Sequence, residues 1–345
     1  MMKILVATDA WHPQVNGVVR TLNEVARAAP ALGATLEFLT PDQFRTVPMP
    51  GYREIRLAMP SAREIERRLD EFKADAIHVA TEGPLGYAVR RVCMKRGVAF
   101  TSSFHTRFPD YLAERVAVPA RWTWNWLRRF HRTASAVLAA TPALVSELNE
   151  RGFQNVKLWP RGVDANLFRP RLGWCDLAMP RPIFLTVGRV SVEKNLEAFL
   201  ALDLPGTKIV VGDGPARNAL AQKYPDAVFL GAMQGEALAA IYSAADVFVF
   251  PSRTDTFGLV LLEALASGVP VAGFPVTGPR DVIGSSPVGV LDEDLRAACL
   301  EALTLSRQAC RDFAAGMTWE ASARCFIEHV TRAASGAHLA FEIAS

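Results

Sequence analysis

Residues 246–272 read DVFVFPSRTDTFGLVLLEALASGVPVA. Val247 to Phe250 form a continuous apolar run of the kind buried on both faces of a parallel sheet, and Pro251 and Ser252 end it. Leu259 to Ser267 are good helix formers. Gly268 suits the left-handed position after a last helical turn, and Pro270 forbids continuation before a second apolar strand. The stretch is therefore a β-α-β unit whose loop ends at a helix N-terminus opened by Gly258. Unpaired backbone N–H groups and a partial positive charge at such an end attract phosphate. Asp255 and Glu263 bracket it. Taken singly, Asp255 reads as a helix-entry carboxylate and Glu263 as a solvated helix residue. Taken together, with Phe257 and Gly258 between them, they flank an anion with acceptors for sugar hydroxyls.

The same strand, loop and helix pattern recurs along the chain. Lys3 to Thr8 is a short hydrophobic strand, followed by a loop through Gly17 and a helix over residues 18–32 that Gly33 stops. Gly17 lets the backbone approach a ligand closely. Further strands are expected at residues 35–39, 54–57, 75–79, 98–102 and 136–139. Ser61 to Glu64 is a capping box opening a helix to about Phe72. Ile183 to Val187 is a strand leading into GRVSVEKN, residues 188–195, in which Gly188, Arg189 and Lys194 stand at a strand end and a helix start. Two cations there suit a diphosphate. Lys208 to Val211 precedes VGDGPAR, a glycine-rich turn ending its tight part at Gly214. Alternation of this kind specifies α/β architecture with parallel sheets. No G-x-G-x-x-G follows the first strand, so a nicotinamide-dependent oxidoreductase lacks its fingerprint.

A chain of 345 residues corresponds to about two domains of roughly 150 residues each. Half its residues are hydrophobic and about a fifth are charged, as in ordinary globular proteins. No run approaches the ~20 apolar residues that cross a bilayer, and the N-terminal apolar segment is too short for a secretory signal, so a cytoplasmic location is expected. The five cysteines are dispersed without a C-x-x-C pair, which fits neither a zinc site nor a disulfide framework. The net charge of +3 conceals an asymmetry. Residues 1–165 carry 23 Lys and Arg against 16 Asp and Glu, or +7, and the rest carry 15 against 19, or −4.

The basic excess includes VPARWTWNWLRRFHRTAS, residues 118–135, where Trp122, Trp124 and Trp126 lie among Arg121, Arg128, Arg129 and Arg132. On a helix Trp122 and Trp126 share a face with Arg129, and Trp124 points elsewhere. Tryptophan and arginine together suit a membrane interface with anionic headgroups, with Arg128 and Arg129 as contacts; internal packing of the tryptophans with a solvated arginine rim is the alternative. Nothing in the segment matches a nucleic-acid-binding motif, and no protein partner is evident.

Residues 251–271, PSRTDTFGLVLLEALASGVPV, resemble the donor-site signature of the retaining glycosyltransferases of family 4, which have the GT-B fold. In that family two acidic residues, usually both glutamate, are separated by seven others with Phe-Gly between them; here the first is Asp255. GRVSVEKN is a second family signature. SFHTRFPDY, residues 103–111, resembles the segment that places a histidine against the transferred sugar in members with lipid acceptors, and LWPRGVDANLFRP, residues 158–170, resembles the segment closing the first domain. The resemblance implies two Rossmann-like domains facing each other across a cleft, with a C-terminal helix crossing back to the N-terminal domain. The expected domains are an acceptor-binding one over 1–168 with 319–345, and a nucleotide-sugar-binding one over 180–318.

It also implies roles. Gly17, Gly188, Arg189, Lys194, Gly214, Asp255, Phe257, Gly258, Leu259 and Glu263 bind the donor. His105, Arg189, Lys194 and Asp255 serve catalysis, and Thr106, Tyr111, Trp122, Trp126, Arg128 and Arg129 face the acceptor or membrane. The implied enzyme is a hexosyltransferase working without a metal or other cofactor, peripheral at the inner face of the membrane. It would move a sugar from a nucleotide sugar, UDP-glucose or UDP-glucuronate, to a lipid hydroxyl such as that of diacylglycerol. GDP-mannose as donor, a soluble sugar as acceptor and a non-catalytic sugar-nucleotide-binding protein are the alternatives. Asp292-Glu-Asp294 has the letters of a metal motif of the other large glycosyltransferase fold, but it precedes an apolar-periodic helix, where acidic residues favour the dipole.

Overall fold

A computed structural model describes residues 1–14, 16–49, 52–105, 120–171, 178–255 and 257–344. The chain divides into two compact units, one of Met1–Arg161 with Trp319–Ser345, the other of Gly162–Thr318.

In the first unit the elements are β1 (Met2–Ala7), α1 (Gly17–Ala28), β2 (Ala34–Leu39), β3 (Thr46–Met49), β4 (Tyr52–Ala58), α2 (Ala62–Phe72), β5 (Ala76–Val79) and α3 (Pro84–Arg96). They continue with β6 (Thr101–Phe104), α4 (Ala120–His131), β7 (Ala136–Ala139), α5 (Pro142–Glu150) and β8 (Val156–Leu158), and the C-terminal helix Trp319–Ala344 completes the unit. Six strands pair in parallel in the order β2-β1-β5-β6-β7-β8. Ile4 to Ala7 are buried throughout, as an apolar run covered on both faces must be. The Ser61 capping box forms, with Glu64 accepting from the Ser61 backbone and hydroxyl while Ser61 accepts from the Glu64 N–H.

Three elements differ from expectation. The strand expected at 98–102 runs instead from Thr101 to Phe104. The first helix gives way at Ala29 to a 3-10 turn, Ala29–Leu32, because Pro30 has no N–H to continue the α-helical ladder. The strand expected at 54–57 is the second arm of an antiparallel hairpin with β3. The C-terminal helix contributes Ala323, Phe326 and Val330 to a cluster with Ile4, Val6, Leu22 and Trp159. Each fully buried large side chain of this kind stabilises the unit by about 1.5–3 kcal/mol.

The second unit runs β9 (Ile183–Val187), α6 (Leu196–Leu200), β10 (Thr207–Val211), α7 (Arg217–Lys223), β11 (Val228–Gly231), α8 (Gly235–Ala244) and β12 (Val247–Phe250). It then adds α9 (Leu259–Ala266), β13 (Val271–Gly273), α10 (Thr277–Ile283), β14 (Gly289–Leu291), α11 (Leu295–Ala302) and α12 (Arg307–Ala315). Its parallel order is β11-β10-β9-β12-β13-β14, the doubly wound arrangement. The order reverses between β9 and β12, and ligands of such sheets bind beyond the carboxyl ends of the strands at that reversal. Asp294 caps α11 by accepting from the Ala297 N–H, which is the helix-entry role read for the acidic triplet.

Candidate active site

The loops after β9 and β12 are brought together at the reversal of the second sheet. Lys194 Nζ donates to both carboxylate oxygens of Asp255, at 2.6 and 2.8 Å. Asn195 Nδ2 donates to the Pro251 carbonyl at 3.0 Å, stitching the same two loops. The Arg253 guanidinium lies 3.8 Å from the Phe274 ring centroid and pairs with Glu293. Gly278, in α10, packs so closely under the loop that a Cβ there would come within 2.8 Å of the Asp255 carbonyl oxygen. Both partners of the lysine–carboxylate pair are about three-quarters buried. Arg189 is exposed on the same loop.

Glycines shape this surface by exclusion. A Cβ on Gly212 would lie 1.8 Å from the Gly188 carbonyl oxygen, and one on Gly214 would lie 2.4 Å from that of Val190. The turn after β10 thus rests directly on the backbone of the Gly188 loop. Gly258, at φ +84°, is the residue before α9, and a Cβ would meet Phe250 and Leu261 at 3.1 Å. Leu259 is the first helical residue, and Phe257 packs against the core. Glu263 departs from its plain reading: only 1% of it is exposed, so it is not a solvated helix residue. Ser191, which the sequence did not single out, is also buried, and its hydroxyl has no partner among the described residues.

The first sheet reverses between β1 and β5, and a carboxylate the sequence reading missed sits there. Asp9 accepts from the Leu85 and Gly86 N–H groups at 2.8 and 3.1 Å and from the Thr81 hydroxyl at 2.9 Å. Burial raises its pKa, and the two backbone donors act against that shift. The N-terminus of α3 is therefore occupied by the protein's own anion. At α1 the Asn16 side chain takes the N–H groups of Val18 and Val19, with Gly17 exposed as the first helical residue.

His105 follows β6 and is half-buried. Arg161 Nη2 donates to its Nδ1 at 3.3 Å. Burial, and then the charge of Arg161, hold the His105 imidazole well below its ordinary pKa. Behind it lie two buried networks. His78 bonds with Thr101 and Ser103, while His131 bonds with Ser102 and Glu82. Arg161 carries no signal in hydropathy or spacing; only its place in the RGVD segment marks it. Thr106 and Tyr111 lie outside the described residues.

Helix α4 presents the tryptophans on different sides. Trp124 is buried beneath Phe104, with the Arg151 guanidinium 4.0 Å from its ring centroid. Trp122 and Trp126 are 63% and 43% exposed, on a surface shared with Arg121, Arg128, Arg129 and Arg132. Internal packing therefore holds for Trp124 and in part for Trp126, whose ring stacks on Tyr87 at 5.7 Å between centroids, while Trp122 is the most exposed of the three. Among the described residues no helix is long and apolar enough to cross a membrane.

The chain is similar to known proteins along most of its length. Residues 15–167 match the model of Glycosyltransferase Family 4, and residues 181–305 that of Glycosyl transferases group 1. A GDP-mannose-dependent alpha-mannosyltransferase from Mycobacterium tuberculosis is 31% identical over 318 residues, covering 84% of this chain and 83% of that one. A sulfoquinovosyl transferase from Arabidopsis thaliana is 31% identical over 268 residues, 71% of this chain and 51% of its own length. An alpha-monoglucosyldiacylglycerol synthase from Streptococcus pneumoniae is 26% identical, covering 88% of this chain and 78% of that one. Among solved structures, sucrose-phosphate synthase from Thermosynechococcus elongatus superposes over all of both chains with a TM-score of 0.72 at 20% identity, a likeness of fold.

Proposed function

The chain belongs to glycosyltransferase family 4 and is a hexosyltransferase, and from that premise we propose that it moves a sugar from a nucleotide sugar to the hydroxyl of a membrane lipid such as diacylglycerol, with retention of configuration. The observation that carries the transfer chemistry is the meeting of Lys194 and Asp255 at the reversal of the second sheet. A cation and a carboxylate held side by side suit the two halves of a nucleotide sugar, one anionic and one rich in hydroxyls.

In this reading Arg189 and Lys194 neutralise the charge that grows on the departing diphosphate, a task for which two cations suffice. Gly188 and Gly214 allow the backbone to approach the phosphates, and the Gly258–Leu259 helix start adds N–H donors. Asp255 and the Phe257–Gly258 backbone hold the sugar, Glu263 holds the ribose, Gly17 approaches the diphosphate and His105 stands beside the reacting ring. The acceptor oxygen attacks on the face the diphosphate leaves, and a diphosphate oxygen takes the acceptor's proton. The exposed Trp122 and Trp126 among arginines support peripheral attachment to anionic lipid, and the pneumococcal relative supports a diacylglycerol acceptor.

Uridine donors, UDP-glucose or UDP-glucuronate, are the first reading of donor. GDP-mannose is the second, and the mycobacterial relative, matched over most of both chains, favours it. Purified protein incubated with each donor and with diacylglycerol in phosphatidylglycerol vesicles should yield a glycolipid from one donor and co-sediment with the vesicles. Transfer only to a soluble sugar, with no co-sedimentation, refutes the lipid acceptor. Binding of a sugar nucleotide without transfer to any acceptor refutes catalysis.

A further inference from the structure

A guanidinium has five N–H donors, no lone pair to accept with, and a charge it keeps at every ordinary pH. Its contact with His105 Nδ1 therefore has one direction: the arginine donates, and Nδ1 is bare. A neutral imidazole whose Nδ1 is bare carries its proton on Nε2. We propose that Arg161 is a positioning residue that locks His105 as the neutral Nε2–H tautomer, so that the histidine serves transfer as a hydrogen-bond donor to the sugar and not as a base. The use of that donor rests on the assignment of His105 to the sugar made above; the lock itself does not.

Arg161 is unusually well held for such a task. It is 6% exposed, and no ion pair to it occurs among the described residues. Burying a cation without a counter-ion costs several kcal/mol unless dipoles and rings offset it. Here its Nη1 donates to the Trp159 carbonyl at 2.6 Å, and the guanidinium lies 4.2 Å from the centroid of the Trp159 ring. That indole is fixed in turn. Its Nε1 donates to the carbonyl and hydroxyl of Ser322 at 3.2 and 3.1 Å, and the Ser322 hydroxyl donates to the Pro160 carbonyl at 2.7 Å. The C-terminal helix thus grips residues 159 and 160, and Arg161 passes that fixity to the imidazole. The surroundings act in one sense. Burial, Arg161, His78 and His131 all disfavour a protonated His105. Burial brings Arg161 down to about 9, a shift that only Cys325 opposes.

The test uses the full-length protein labelled with 15N-histidine, whose six histidines are resolved by long-range 1H–15N correlation and assigned at this position by His105→Gln. The wild type should show a protonated Nε2 and a bare Nδ1, unchanged from pH 8 to about 5.5, where an ordinary histidine titrates. Arg161→Leu should give mixed tautomers and a midpoint returning toward about 6.5. A wild-type proton on Nδ1, or a spectrum that Arg161→Leu leaves unchanged, overturns the lock. If Arg161→Leu does not fold, the wild-type spectrum decides alone. Glutamine sets its amide nitrogen near the Nε2 position and asparagine near Nδ1, so His105→Gln should retain at least about tenfold more transfer than His105→Asn, a difference of about 1.4 kcal/mol. Equal losses overturn the donor role. Full activity of both variants with the tautomer signature intact in the wild type refutes instead the assignment of His105 to the sugar.

Discussion

Lowering the pH should weaken the first unit through His78 by an amount its surroundings fix. The ring is fully buried, its two nitrogens are taken up by Thr101 at 2.8 Å and Ser103 at 2.9 Å, and its faces and edges meet Trp159 and Phe326. Burial first, then the charges of Arg161 and His131, hold its pKa at about 3 against an ordinary 6.5. The folded value is depressed, so above 6.5 neither state binds the proton and full stability is present. Below 6.5 the unfolded chain takes up a proton that the folded unit refuses, and stability falls progressively toward pH 3. Between pH 7.5 and 5.5 this one residue should remove about 1.4 kcal/mol. Urea unfolding followed by tryptophan fluorescence measures it, because six of the seven tryptophans, Trp11, Trp122, Trp124, Trp126, Trp159 and Trp319, belong to this unit. His78→Gln keeps an amide toward the Ser103 hydroxyl, which meets Nε2, and cannot titrate. The variant should start less stable but lose about 1.4 kcal/mol less than the wild type on acidification, other titrating groups cancelling in the difference. Equal losses in the two proteins would refute the assignment of a neutral, acid-resistant His78.

Two further predictions concern the second unit. In a double-mutant cycle of Lys194→Met and Asp255→Asn read on donor turnover, the two losses should fail to add by about 1–3 kcal/mol, since each residue orients the other; strictly additive losses would show the ion pair to be irrelevant to transfer. Gly212→Ala forces a methyl 1.8 Å from the Gly188 carbonyl oxygen, so nucleoside diphosphate affinity should fall at least about a hundredfold, near 2.7 kcal/mol. Calorimetric binding equal to wild type would mean that the Gly188 loop does not hold phosphate.

The loops of the second unit were the most readable part of the chain, for a physical reason. Val247 to Phe250 favour an extended strand, Gly258 and Gly268 tolerate the left-handed backbone of a helix entry and exit, and Pro270 forbids continuation, so strand, helix start and helix end are legible from neighbours in sequence alone. The same holds for the Ser61 capping box. The family resemblance then supplied roles for Arg189, Lys194, Asp255 and Glu263 that local rules could not. What stayed hidden depends on residues far apart in the chain. Asp9 finds Thr81 and the α3 N-terminus across more than seventy positions, and Arg161 finds His105 across fifty-six. Nothing in either local pattern distinguishes them from a surface aspartate and a surface arginine. The burial of Glu263 was hidden too, because α9 is apolar nearly all round and offers no solvated face to read. The β3–β4 hairpin escaped because its first arm contains Pro48, which argues against a strand.

The grip of Ser322 on Trp159 also has a consequence for the order in which the chain is made. Val163 and Thr318 form a bridge at the root of the second unit, so residues 162–318 can close on themselves as soon as they are synthesised. The first unit cannot. When residue 161 is complete, Ile4, Val6, Leu22 and Trp159 lack Ala323, Phe326 and Val330, the partners they have in the finished core. Translation of the intervening 157 residues takes on the order of ten seconds. Until then the apolar side chains of the first unit lack part of their cover, and the helix Trp319–Ala344, made more than 150 residues later, supplies it.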